Sequence, residues 1–111
     1  MLYSTFANRA EAISIANILV EKRLVACANL YENVVSIYRW QDTIQQEQEV
    51  VLIAKTVKEQ VQVAIETIKT LHSYQLPCIV AYPVAEGYPP FLKWVADETA
   101  LGVVDETATE A

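Results

Sequence analysis

Glycine is almost missing, with two residues in 111. A Gly-rich loop that wraps phosphate therefore has no material to be built from, which sets aside kinase, P-loop and Rossmann readings. Basic residues are also scarce, eight Lys and Arg against fourteen Asp and Glu, for a formal net charge of -6. A surface of that sign repels phosphate backbones and anionic membranes, so neither nucleic acid nor a membrane is expected as a partner. No apolar run approaches the ~20 residues that span a bilayer, and the opening MLYSTFANRAEA lacks the basic-then-hydrophobic order of a secretory signal. The expectation is a soluble, cytoplasmic protein. Cysteine occurs twice, at Cys27 and Cys78, with a spacing that matches neither a zinc ribbon nor a redox Cys-x-x-Cys pair. Both are expected to be free thiols in a reducing compartment.

What the chain does have is apolar material. At 53% hydrophobic residues it can build one core of its own length. A single domain over residues 1–104 is expected, followed by a small, acidic tail over 105–111 with nothing to bury.

The elements follow from periodicity. Leu2 to Ala7 is a short β-favouring run that meets a helix-start signal, Asn8 with Glu11 three residues later, the pattern of a capping box. From Arg9 to Leu24, the apolar positions Ile13, Ala16, Leu19, Val20 and Leu24 recur at helical spacing. Val25 to Trp40 alternates in its second half, Gln41-Asp42-Thr43 supplies a turn, and Val50 to Thr56 is a second extended run, so a hairpin is predicted. Val50-Val51-Leu52-Ile53 is apolar at both parities, which predicts cover on both faces of the sheet. Lys58 to His72 carries Val61, Ala64, Ile65, Ile68 and Leu71 as a second amphipathic helix. Ile79 to Val84 reads as a strand placed at an edge by Pro83, and a terminal helix over Phe91 to Thr99 starts at a Pro-Pro step. The order β-α-β-β-α-β plus a helix predicts an α+β fold, the ferredoxin-like sandwich of a four-stranded antiparallel sheet with two helices on one face. The bare apolar face calls for closed homo-oligomerisation.

The chemistry-bearing stretch is LHSYQLPCI, Leu71 to Ile79, which holds the sole histidine and one cysteine six residues apart. Imidazole and thiolate together suit copper or zinc, with Cys27, a carboxylate such as Glu86 or a neighbouring subunit as the third ligand. The plainer alternative is that His72 closes a helix C-terminus while Cys78 and Cys27 fill space. A catalytic Cys-His pair would need a lowered thiol pKa and an orienting third group, for which the residues offer no sign, so no enzyme is expected.

Five segments in register, EKRLVACANL, SIYRWQDTI, VVLIAKT, LHSYQLPCIVAYPV and FLKWV, carry a resemblance that runs from about Leu2 to Thr99. The chain resembles the CutA divalent-cation-tolerance family, whose architecture is related to the PII signalling proteins. The resemblance implies a ferredoxin-like subunit in a tight homotrimer that binds copper and related divalent ions weakly, with no catalysis securely attached. Cys27 stands at the family's A-C-x-N cysteine and His72 at the histidine of H-x-Y-x-x-P; Trp40, Lys55, Tyr74, Pro77 and Trp94 also sit on family positions. Metal is thus expected at His72, Cys78 and Cys27, and trimer contacts at Tyr38 and Trp40. By analogy with PII-like trimers, the alternative is a signalling or scaffold trimer that binds a small anionic metabolite or a partner protein at its subunit clefts, with Lys55 and Tyr74 as candidates for that inter-subunit pocket. One position departs: after Pro77 the family usually has glutamate, and here Cys78 puts a soft thiol in place of a hard carboxylate.

Overall fold

A computed structural model describes residues 1–100 of the chain. The predicted boundary at 104/105 and the acidic tail lie outside the described residues. Seven elements follow one another: β1 (Leu2–Phe6), α1 (Arg9–Glu21), β2 (Cys27–Trp40), β3 (Thr43–Lys55), α2 (Lys58–Leu71), β4 (Ile79–Ala81) and α3 (Pro89–Glu98). The strands form one antiparallel sheet in the order β2-β3-β1-β4, the ferredoxin-like arrangement predicted. β4 is an edge strand only three residues long, and it stops before Pro83.

Strand alternation divides the sheet into two faces. Leu2, Ser4 and Phe6 of β1 stand beside Ala54, Leu52 and Val50 of β3. With Ala12, Ile15, Ala16 and Leu19 of α1 and Ala64 and Ile68 of α2, their apolar members form one core. Burying each of its large side chains contributes about 1.5–3 kcal/mol. Within α1, Ala12 and Ile15 are buried where Ile13 and Val20 were predicted, a small rotation of the inward stripe.

The start of α1 keeps half of the predicted capping box. Asn8 accepts the Glu11 amide at 2.8 Å, but the Glu11 carboxylate turns away from the cap and takes the Ser73 amide and hydroxyl at 2.7 and 2.9 Å. The end comes at Glu21, three residues before the predicted limit. There Arg23 adopts a left-handed φ of 60°, and the Arg23 and Leu24 amides donate to the Val20 and Leu19 carbonyls. That pair of bonds is a Schellman closure with arginine where glycine is usual. α3 docks against this end: Arg23 Nη1 donates to the Glu98 carbonyl at 3.1 Å, and buried Gln60 donates to the Thr99 carbonyl at 2.9 Å.

The largest departure from sequence expectation is β3, which begins at Thr43 rather than Val50. Its polar half, Thr43 to Glu49, is held by ladder pairing with β2, for which side-chain hydrophobicity is not required. Gln41 and Asp42, at φ 50° and 66°, make the two-residue turn of the type that matches strand twist. A bulge between Tyr31 and Val34, with Asn33 at φ 61°, re-aims the outer part of β2. On the face away from the helices, Thr5, Glu49 and Val51 are already buried within one chain. Part of the cover predicted for that face is thus supplied by the chain itself. The outer hairpin stays open: Val35, Ile37 and Ile44 on one side and Tyr38 and Trp40 on the other remain exposed.

Candidate functional site

His72 ends α2 and turns its ring inward, with no exposed side-chain surface. The ring stacks on Phe6 at 4.5 Å with planes 12° apart. Its Nε2 lies 2.7 Å from the Thr5 carbonyl, which can only accept, so the proton sits on Nε2. Nδ1 then accepts the Tyr74 amide at 3.1 Å. Both nitrogens are occupied in the neutral ring, so a metal would have to break one of these bonds to reach it. The histidine acts as a brace that fixes the chain leaving α2.

That chain carries Tyr74 over the far face of the sheet, where its hydroxyl donates to Glu49 Oε2 at 2.8 Å. Glu49 is 8% exposed. Two residues away along β3 on the same face, Glu47 accepts the Tyr38 hydroxyl at 3.0 Å. Burial and the Glu49 carboxylate hold the Tyr74 phenol protonated well above its ordinary range, and the bond to Glu47 pushes Tyr38 up as well. These carboxylates and phenols, with Trp40, Arg39, Leu76 and Cys78, wall a cleft of about 730 Å³.

Cys78 is a free, exposed cysteine at the foot of this cleft, its carbonyl held by Ser4 Oγ at 2.7 Å. Desolvation beside the strand and the charge of Glu49 push its thiol up. That direction is opposite to what a nucleophilic cysteine needs.

The predicted metal residues are only partly brought together. His72 and Cys78 both lie next to Thr5, but His72 is committed to its two backbone bonds. Cys27 stands opposite Lys55, four residues along β3 from Val51, the partner of Thr5. At strand spacings that is about 13 Å along the sheet, plus three strand steps across it from β4. Among the described residues no group of three or more His, Cys, Asp or Glu is placed to hold an ion. Within one chain Lys55 and Tyr74 are separated too, Lys55 bonding the Asn29 side chain at the other end of β2, outside the cleft; the pocket expected between subunits is a matter of the assembly. What surrounds Tyr74 is acidic, which disfavours an anion there.

Sequence reasoning missed Glu47 and Glu49. The signal was present in Glu47-x-Glu49-x-Val51, a period of two running straight into the strand that was predicted. Carrying that period outward to the turn would have set both carboxylates on one face, beside Tyr38.

Comparison with known proteins places these features in a family setting. The family model described as "CutA1 divalent ion tolerance protein" matches residues 1–98. The divalent-cation tolerance protein CutA of Thermus thermophilus is 41% identical over 95 residues, covering 86% of this chain and 92% of that one. A CutA homolog of Xenopus laevis is 37% identical over 95 residues, and there the match spans only 63% of the relative's length. Among solved structures, divalent ion tolerance protein CutA1 from Ehrlichia chaffeensis superposes with a TM-score of 0.85 at 39% identity, over 90% of this chain and 94% of that one.

Proposed function

Because the chain belongs to the CutA1 divalent ion tolerance protein family, we propose that it binds divalent or copper ions weakly, as a closed homotrimer, and contributes to tolerance of them without turnover chemistry. The observation that carries the metal part is the Cys78 thiol, exposed in a concave site beside the Glu49 carboxylate. Thiolate with carboxylate is a donor pair for borderline and soft ions such as copper and zinc. Among the described residues one chain offers too few ligands for a closed site, so water or a second copy completes the coordination, and exchange is rapid. Neither His72 nor Cys27 is required in this reading.

The trimer is supported by the outer hairpin, which exposes Tyr38 and Trp40 on one face and Val35, Ile37 and Ile44 on the other. Large apolar side chains exposed on both faces of one hairpin fit an arm that is buried between copies; the number three comes from the family resemblance. A cytoplasmic location belongs to the same proposal, resting on the two unpaired cysteines.

The test is titration of Cu(II) and Zn(II) into wild type, Cys78→Ser and Cys27→Ser. Loss of one thiolate ligand should weaken binding about tenfold or more in Cys78→Ser, while Cys27→Ser stays near wild type. Equal affinity in Cys78→Ser would remove the thiol from the reading.

A further inference from the structure

Leu2, Ser4 and Phe6 form the core-facing row of β1, and Ser4 is the polar member of it, with no exposed surface. A hydroxyl in an apolar core is costly unless it is bonded, and a bonded one adds little net stability. Alanine would therefore pack at this position about as well. What the hydroxyl does is donate to the Cys78 carbonyl at 2.7 Å, 74 residues along the chain.

Cys78 stands one residue before β4, whose ladder with β1 begins with Ile79 opposite Ser4. The bond fixes the carbonyl of Cys78 and with it the peptide plane that leads into the strand. The thiol of the same residue lies on the other face of the sheet, where it lines one space with Tyr3 and Thr5 of β1 and with Glu49. Upstream, the Glu11 carboxylate takes the Ser73 amide and hydroxyl, and Tyr74 is tied to His72 and Glu49. Between these ties and β4, Gln75 and Leu76 are exposed, and Pro77 has no amide to bond. Among the described residues, Ser4 is the one side chain that bonds the backbone from Gln75 to Cys78. A ligand on a loose stretch has to be ordered when the ion arrives, which weakens binding.

We propose that Ser4 is a positioning residue for Cys78, its buried hydroxyl holding the backbone so that the thiol meets an incoming ion already aimed beside Glu49. This rests on the reading of Cys78 as a metal ligand and goes beyond it by making a core residue of β1 a determinant of the affinity. It holds whether water or a second copy supplies the remaining ligands, because Ser4 and Cys78 belong to one chain.

The test is Zn(II) titration of the full chain, as it assembles, in wild type, Ser4→Ala, Ser4→Thr and Cys78→Ser, with Co(II) absorption reporting the thiolate-to-cobalt charge-transfer band. Ser4→Ala should weaken zinc by about tenfold, as expected for loss of a partner that orients a ligand. Its charge-transfer band per bound cobalt should fall, while its urea midpoint stays near wild type. Ser4→Thr keeps the hydroxyl and should restore both zinc affinity and band. If Ser4→Ala fails to fold, Ser4→Cys takes its place, being of similar size with only a weak donor. Full zinc affinity with an unaltered cobalt band in either folded variant overturns the proposal. So does an equal loss in a Ser4→Thr protein of wild-type stability, since the hydroxyl would then not be what matters. Binding lost in Cys78→Ser but kept in Ser4→Ala removes the role of Ser4 alone, whereas binding kept in Cys78→Ser removes the metal reading and this proposal together.

Discussion

Replacing His72 separates a structural brace from a metal ligand. His72→Ala removes the Nε2 bond to the Thr5 carbonyl and the acceptor for the Tyr74 amide. Each lost bond is worth about 1 kcal/mol net, more if the partner left behind finds no water. The ring also fills the space over Phe6 with no exposed surface, and deleting a buried ring leaves a cavity costing about 2 kcal/mol or more. Together the variant should lose about 4 kcal/mol. His72→Phe keeps the stacking and loses only the two bonds, so it should lose about half as much. The assay is urea unfolding of all three proteins with EDTA, at one fixed chain concentration because association adds apparent stability. The ordering wild type, Phe, Ala is the expected result. If His72→Ala stays within about 0.5 kcal/mol of wild type without metal, while its copper affinity collapses, the brace argument is wrong and the ring is a ligand.

Gln41 and Asp42 both sit at positive φ in the hairpin turn, so replacing them by Asn and Gly should stabilise the fold by about 1 kcal/mol in urea unfolding; a loss of stability would show that their side chains matter at the tip. Copper affinity should rise about tenfold per pH unit between roughly pH 6 and 8, since the Cys78 thiol, pushed above its ordinary value, must give up its proton to bind. A titration flat in pH would exclude the thiol. Wild type should sediment as a trimer at micromolar concentration, and Ile37→Glu on the exposed hairpin should shift it toward smaller species; a wild-type monomer would end the assembly proposal. Cys78→Glu, which puts a hard carboxylate in place of the thiol, should lower the preference for copper over manganese by about tenfold, and an unchanged ratio would argue that residue 78 is not a ligand.

Element order and type were legible because each element carries its own local pattern. The stripe of Ala64, Ile68 and Leu71 reads as helix from spacing alone, and Pro89-Pro90 marks the start of α3 with no knowledge of what surrounds it. β3 was legible only from Val50 onward, where burial writes hydrophobicity into the chain. Its outer half is stabilised by backbone pairing, which leaves no imprint on side-chain polarity. The same gap hid the cleft, since Glu47 and Glu49 gain meaning only once β3 is drawn back to Thr43. His72 and Cys78 were visible as chemistry, but their separate roles were not. Whether an imidazole ligates or braces depends on the Thr5 carbonyl and the Tyr74 amide, both remote in sequence or backbone in nature.

The polar outer half of β3 also explains why the cleft is acidic inside apolar walls. Alternation places Glu47 and Glu49 on the face where β2 presents Ser36 and Tyr38, so carboxylates and an aromatic share one surface by register. Tyr74, fixed by the His72 brace, closes the opposite side and binds the deeper carboxylate. Each phenol donates a hydrogen bond to one carboxylate, which offsets part of the cost of holding it in a half-enclosed space. Lys55 is on the same strand and the same face but three alternations from Glu49, bonded to Asn29 instead. At about 20 Å away along an extended strand, roughly two Debye lengths at physiological salt, its charge is screened from the cleft. The register that removes the sole lysine of β3 from the site therefore leaves a field that attracts cations, and an anionic metabolite would have to work against it.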